Sequence, residues 1–277
     1  MSGSTDDITT QLAALESVLR SMGELAVAVS GGVDSLTLAA FAHRALGDPV
    51  AMFHAVSPAV PSEGTERTRE FAALEGWKLA IIDAGEFKSG DYMKNPLNRC
   101  FYCKTSLYSA IRPHTSAQIV SGTNLNDLGE YRPGLIAAQE HGVRHPFVEA
   151  GIDKQAVRAI ARHLRLGDVA ELPASPCLSS RIETGIAIDP LMLGRVHETE
   201  RLVDRTIKPK TVRCRVRARG VVVELDENTL AALSEERREA LAIEVRGLFE
   251  NAGFRYAVSF APYRVGSAFL HNIKVVS

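Results

Sequence analysis

Several things are scarce in this 277-residue chain, and each scarcity removes a class of protein. No sign of charge dominates: 32 Lys and Arg stand against 33 Asp and Glu, a net charge of −1. Nothing in the bulk composition therefore asks for nucleic acid or a membrane surface as partner. No apolar run reaches the ~18 residues of a membrane-spanning helix. Met1 to Asp7 is polar and acidic and lacks the basic start of a secretory signal. Four cysteines are too few for a disulfide framework in a chain of this length. The eight histidines show no HExxH spacing, which argues against a His-based metal site of that kind. The single tryptophan, Trp77, follows Gly76 at the start of a strand and reads as a packing residue. There is no internal repeat and no low-complexity segment. What remains is a cytoplasmic, enzyme-like chain, long enough for one large or two modest domains.

The informative stretch is Ser30-Gly31-Gly32-Val33-Asp34-Ser35. An unbroken apolar run, Leu25 to Val29, precedes it with strand length, and a helical pattern from Leu36 to Leu46 follows, stopped by Gly47-Asp48-Pro49. A buried strand that passes through a Ser/Gly loop into a helix N-terminus makes an anion site, because glycine lets the backbone approach and its N–H groups converge with the helix dipole. Ser30 and Ser35 add hydroxyl donors. Asp34 is a carboxylate where phosphates would sit, which reads as a Mg²⁺ holder. The loop has no Lys and the wrong glycine spacing for a Walker A or GxGxxG motif. It resembles the SGGxDS PP-loop of the ATP pyrophosphatases, which cleave ATP to AMP and pyrophosphate while adenylylating a substrate.

The remaining pattern alternates strands and helices. A helix over residues 8–22 is followed by strands at 25–29, 50–56, 78–83, 118–122 and 144–148, with helices at 36–46, 61–76, 105–111 and 135–141. This order predicts a doubly wound, five-stranded parallel α/β sheet. Ligands of such sheets lie beyond the carboxyl ends of the strands, so the loops after the first, second and fourth strands share a site and His54 to Ser57 line the nucleotide. After a basic amphipathic helix at 153–165 the character changes. A loop over 171–188, a helix near 190–206, a hairpin (212–216 and 221–225, turning at Arg219-Gly220), a helix at 234–251 and a strand at 256–260 predict a smaller α+β domain. The domains are placed at 1–186 and 187–277.

The cysteines differ in setting. Cys100-x-x-Cys103 can face one metal or cluster, form a redox disulfide, supply half a zinc site or be two incidental thiols. Cys177 lies in Pro173-Ala174-Ser175-Pro176-Cys177-Leu178-Ser179-Ser180-Arg181, among prolines, hydroxyls and a cation, the surroundings of a chemically used thiol. Cys214 alternates with Val212 and Val216 on one strand face and reads as core. Arg213, Arg215 and Arg217 take the other face, either as a phosphate or carboxylate clamp or as a solvated hairpin face. Glu224 and Asp226 either face these arginines or lie on the surface.

These motifs combine with Asn95-Pro96-Leu97-Asn98-Arg99, Gly122-Thr123-Asn124-Leu125-Asn126-Asp127 and Arg132-Pro133-Gly134. Together they resemble the LarE family, ATP-dependent sulfur transferases that build the nickel-pincer cofactor of lactate racemase. The resemblance implies a pyridinium-3,5-biscarboxylic acid mononucleotide whose carboxylate is adenylylated and then converted to a thiocarboxylate. It assigns Ser30, Gly31, Gly32, Asp34 and Ser35 to ATP and Mg²⁺, with Ser57, Gly122 and Asp127 beside them. It assigns Cys177 to the sulfur and Ser180, Arg181, Arg213 and Arg215 to the substrate. Family members with a C-x-x-C resemble enzymes in which three thiolates, here Cys100, Cys103 and Cys177, hold a [4Fe–4S] cluster that delivers sulfide from a sulfur donor. Members without it spend the sulfur of the Cys177 equivalent. A homo-oligomer, with a hexamer as one form, is also implied.

Other readings are a PP-loop tRNA thiolase, an amide-forming ligase, and a non-catalytic ATP-binding module with structural zinc. The absence of a basic RNA surface and of an ammonia source argues against the first two.

Overall fold

The computed structural model describes residues 3–129 and 132–268, with side chains from residue 8 onward. In chain order the helices and strands are α1 (Gly3–Arg20), β1 (Leu25–Ala28), α2 (Val33–Leu46), β2 (Val50–Val56), α3 (Ser62–Glu75), β3 (Lys78–Asp83), α4 (Gly90–Met93), α5 (Arg99–Ile111) and β4 (Gln118–Ser121). There follow α6 (Pro133–Glu140), α7 (Pro146–Glu149), α8 (Lys154–His163), α9 (Pro190–Ile207), β5 (Val212–Arg217), β6 (Gly220–Leu225), α10 (Glu227–Ala232), α11 (Glu235–Glu250) and β7 (Val258–Pro262). They form two compact units: Met1–Glu86 with Cys100–Ser175, and Phe87–Arg99 with Pro176–Ser277. The division falls earlier than position 187, and a short segment from the first half of the chain joins the second unit.

The first unit is a parallel sheet in the order β3-β2-β1-β4. The chain winds outward from β1 to β3, then returns to place β4 on the other side of β1, so the sheet reverses direction between β1 and β4. Strand alternation sends Leu25 and Val27 into a core with α1, α2, α7 and α8, and Ala26 and Ala28 into a second core with Tyr108, Ile111 and Ala138 of α5 and α6. Both faces are thus covered, which is why β1 is apolar throughout.

The sheet has four strands, not the five read from the sequence. Residues 144–148 contribute only a single bridge from Arg144 to Val120, because Pro146 opens α7 immediately afterwards. Proline fixes the φ of a first helical turn and carries no N–H for a ladder. Trp77 is buried against Phe71, as a packing residue should be. Gly76 ends α3 in the left-handed conformation.

The second unit holds a three-stranded sheet, β5-β6-β7, with β5–β6 antiparallel and β6–β7 parallel. α9 and α11 pack against it. The turn between β5 and β6 is Ala218-Arg219, and Gly220 already pairs with Arg217. A Cβ on Gly220 would stand 2.5 Å from the Ala257 carbonyl oxygen, so this strand start must be glycine. Cys214 and Val216 are fully buried, as the alternation requires.

Among the described residues no helix is long and apolar enough to cross a membrane. Phe147, fully buried between α1 and α8, tests the first core. Phe147→Ala should destabilise the protein by about 3–5 kcal/mol, read as a lower urea midpoint.

Candidate functional site

In the first unit the Ser30–Ser35 loop leaves β1 at the point where the sheet reverses. α2 starts at Gly32, which caps it without a side-chain hydrogen bond, so the first-turn N–H groups are not consumed by a capping side chain. Ser35 is buried: its Oγ accepts from the Ser30 N–H at 3.0 Å and lies 3.1 Å from both Ser30 Oγ and the Gly32 carbonyl oxygen. It staples the loop. Ser30, by contrast, is exposed.

Three close backbone approaches shape this loop. Gly31 has φ +79° and a Cβ there would lie 2.2 Å from the Gly64 carbonyl oxygen, at the start of α3. Gly64 in turn faces the Ser30 carbonyl at 3.1 Å from its own would-be Cβ. A Cβ on Gly122, just past β4, would stand 2.8 Å from the Asp34 carbonyl carbon and the Ser35 nitrogen. Arg67 Nη1 donates to the Gly31 carbonyl at 2.7 Å, holding that peptide from the α3 side.

Asp34 is not isolated. Its Oδ1 accepts from Asn124 Nδ2 at 3.1 Å and its Oδ2 from Lys154 Nζ at 2.6 Å. The loop Gly122 to Asp127 organises this arrangement. Asp127 Oδ2 accepts from the Asn124 N–H at 3.1 Å, and its other oxygen pairs with Arg132 at 2.9 Å. Asn126 Oδ1 accepts from the Lys154 N–H at 2.8 Å. The structure therefore joins Ser30, Gly31, Gly32, Asp34, Ser35 and Gly122 in one place, and puts Asp127 one step behind it as a support. Sequence reasoning missed Gly64, Arg67, Asn124 and Lys154. Asn124 had a signal in the Gly122–Asp127 motif, whereas Lys154 looked like one more cation on a basic helix.

His54 and Ser57 serve the frame. His54 is fully buried, its Nδ1 donating to the Val29 carbonyl at 2.8 Å and its Nε2 accepting from Thr65 Oγ1 at 2.9 Å. Burial pushes its pKa below the usual imidazole value. Ser57 Oγ accepts from the Ala59 N–H at 3.2 Å, closing a turn.

The C-x-x-C lies inside α5 and not in a loop ahead of it, because the helix already begins at Arg99. Spacing of three places Cys100 and Cys103 on one helix face. Cys100 is exposed and Cys103 partly so, and neither forms a disulfide. Gly134 brings α6 close to this helix: its would-be Cβ lies 3.2 Å from Lys104 Cγ. Among the described residues no three His, Cys, Asp or Glu side chains are gathered as metal ligands would be. Asp34 presents one carboxylate at the Ser30–Ser35 loop, with its two oxygens bound by Asn124 and Lys154.

In the second unit the Cys177 loop is held from two sides. The segment Phe87–Arg99, read from sequence as a polar stretch, supplies one side. Tyr92 OH lies 2.7 Å from Ser179 Oγ. Asn95, at φ +53°, donates to the Glu183 and Ile186 carbonyls at 2.9 and 3.0 Å, and its Oδ1 accepts from Arg99 at 2.7 Å. Arg181 supplies the other: its Nε and Nη2 grip both oxygens of Glu200 at 2.9 and 3.0 Å. Its Nη1 reaches back to the Pro176 carbonyl at 2.7 Å and to Ser180 Oγ at 3.0 Å. Cys177 caps a short 3₁₀ turn, Leu178–Arg181, and is half-buried. Cys214, with its thiol pushed up by burial, is inert core.

Arg215 is buried and pairs with Glu224 at 3.2 Å while donating to the Ser180 carbonyl at 2.9 Å. Arg217 pairs with the other Glu224 oxygen at 2.7 Å. Glu224 therefore faces Arg215 and Arg217. Arg213 stacks 5.9 Å from the Tyr263 ring centroid. Burial lowers its pKa, Arg181 lowers it further, and Glu200 works the other way.

Two outcomes test this geometry. Gly122→Ala should lower the melting temperature, because the added carbon meets backbone, which cannot swing aside; melting unchanged from wild type would contradict the packing. His54 stays neutral in the native state while the unfolded chain takes up a proton below its ordinary value of 6.5. Its contribution is therefore complete above that pH and is lost as pH falls through it. His54→Gln should show a flatter loss of urea midpoint from about pH 7 to about pH 5 than wild type.

No family model matches the chain. An uncharacterised protein of Synechocystis sp. is 33% identical over 249 residues, 87% of this chain and 91% of the relative. An uncharacterised protein of Methanocaldococcus jannaschii is 26% identical over 248 residues, 84% and 87% of the two. The pyridinium-3,5-bisthiocarboxylic acid mononucleotide synthase of Lactiplantibacillus plantarum is 30% identical over 226 residues, 79% of this chain and 81% of the relative. By that extent of likeness, running through both units, this chain belongs to the pyridinium-3,5-bisthiocarboxylic acid mononucleotide synthase family, the LarE family.

Proposed function

We propose that this protein is an ATP-dependent sulfur transferase that converts a carboxylate of pyridinium-3,5-biscarboxylic acid mononucleotide to a thiocarboxylate, in the making of a nickel-pincer cofactor. The observation that carries the reading is the glycine-lined loop at β1, packed by bare backbone against Gly64 and Gly122, in a chain related to a thiocarboxylate-forming synthase. The uncapped start of α2 supports a role for the loop in holding the phosphates of ATP. Asp34 would hold Mg²⁺, which when bound offsets phosphate charge.

A carboxylate is a poor electrophile. Attack of its oxygen on the α-phosphorus of ATP expels pyrophosphate and leaves an acyl-adenylate, whose acyl carbon then has AMP as leaving group. A sulfide-level nucleophile attacks that carbon and AMP departs. If the nucleophile is the Cys177 thiolate, the thioester formed becomes the thiocarboxylate by loss of the Cys177 Cα proton and cleavage of its Cβ–S bond, which leaves dehydroalanine. Cys177, on a loop that Arg181, Glu200 and Asn95 immobilise, is the proposed sulfur-handling residue. Arg213, Arg215, Ser180 and Arg181 are proposed to meet the phosphate of the mononucleotide, with Arg215 tied to the Ser180 carbonyl. We extend the proposal to a [4Fe–4S] cluster with Cys100, Cys103 and Cys177 as thiolates, on the residue types and on the two thiols of one α5 face. The second unit is the proposed site of self-association.

The reading is tested by pyrophosphate release. Purified without oxygen, the protein should release pyrophosphate from ATP only when the mononucleotide is present, and Cys177→Ala should keep that release while forming no thiocarboxylate. Release that ignores the mononucleotide would sink the assignment. Arg213→Ala should raise the KM for the mononucleotide about tenfold or more with little change in the KM for ATP. Iron and acid-labile sulfide in the wild-type protein, lost in Cys100→Ala and Cys103→Ala, would support the cluster. An iron-free protein that loses one sulfur from Cys177 per turnover would replace it with Cys177 as sacrificial donor.

A further inference from the structure

We propose that Lys154 is a phosphate-binding residue of the nucleotide site and competes with the divalent cation for Asp34, an inference that rests on the nucleotide reading of the loop. Its ammonium lies 2.6 Å from Asp34 Oδ2 across 120 positions of sequence. Helix geometry does not bring the two together, as it does for the i,i+4 pairs of a surface helix. They meet because the Gly122–Asp127 loop anchors both: Asn124 binds Asp34, and Asn126 accepts from the Lys154 backbone N–H at 2.8 Å. Asp153 caps the same helix start by accepting from the Ala156 N–H at 2.8 Å. The ammonium is thus held at the mouth of an anion loop by a built frame.

Its chemistry suits that place. Asp34 sits in the first turn of α2, where the helix dipole already stabilises a carboxylate. A carboxylate at the mouth of a phosphate loop repels the ligand, and the ammonium cancels that repulsion while the polyanion approaches. Both side chains are about a third exposed, 36% for Lys154 and 28% for Asp34, so the pair is open to solvent and weak enough to exchange. Lysine carries a point charge on a flexible stem, unlike the planar fork of arginine, and can swing from carboxylate to phosphate oxygen. A divalent ion can then take the vacated Asp34 oxygen.

The two roles give effects of opposite sign. In full-length protein, calorimetry with inorganic pyrophosphate and no metal should show binding about tenfold weaker in Lys154→Ala than in wild type, the loss of one charge-assisted hydrogen bond. Mn²⁺ alone, followed by electron paramagnetic resonance, should bind at least about twofold tighter to Lys154→Ala, since Asp34 loses its competitor. Lys154→Arg should recover most of the pyrophosphate affinity. Pyrophosphate binding equal in wild type and Lys154→Ala would overturn the proposal and leave the loop reading standing. Weakened binding of both pyrophosphate and Mn²⁺, with a lower melting temperature, would make Lys154 a structural residue and also overturn it. Failure of wild type to bind pyrophosphate or ATP would overturn the loop reading, and this inference with it.

Discussion

Backbone against backbone, with no side chain between, is the constraint on which the first unit depends. Gly31 meets Gly64, and Gly122 meets the Asp34–Ser35 peptide, at separations no Cβ could share. These contacts draw the end of β1, the start of α3 and the exit of β4 onto one small volume. An α/β sheet leaves a crevice wherever its strand order reverses, here between β1 and β4. The glycines narrow that crevice by letting main chain meet main chain. Such a crevice suits a ligand recognised by charge and shape, because peptide dipoles are held in place before the ligand arrives.

Around this crevice the protein places a polar frame. His54, neutral and buried, ties Val29 to Thr65 next to Gly64, and Arg67 ties α3 to the Gly31 carbonyl. Asn124, Asn126 and Asp127 tie the β4 loop to Asp34, Lys154 and Arg132. Each of these groups has a partner with good geometry, so the polar frame adds rigidity to the apolar core around β1 and α2.

The second unit achieves rigidity by different means. Arg181 is a hub: one guanidinium serves Glu200, Pro176 and Ser180, and Glu200 also accepts from the Cys214 N–H at 2.9 Å. A buried arginine bound this way is matched by a full carboxylate and by carbonyls, which offsets its desolvation. The loop bearing Cys177 is consequently held at its base while the thiol remains partly open. Glu224 neutralises Arg215 and Arg217 in the same way.

Local chemistry made much of this legible in the sequence. The apolar run at Leu25, the Ser-Gly-Gly loop and the helix beyond it are neighbours in the chain, so their strand–loop–helix order follows from short-range rules. The alternation of Val212, Cys214 and Val216 likewise predicted the burial of Cys214 and Val216, whereas the burial of Arg215 on the other face depends on Glu224 and Ser180. Tertiary structure decided what depends on distant partners. Arg144 to Val148 has strand-like residues, yet only the pairing edge and Pro146 determine that it stops at one bridge. Phe87–Arg99 looked like a polar connection because its task, to hold the Cys177 loop through Tyr92 and Asn95, is written in contacts more than eighty residues away. Lys154 became a site residue only when the fold carried it across 120 positions to Asp34, since a charged side chain reveals its partner through space and not through spacing.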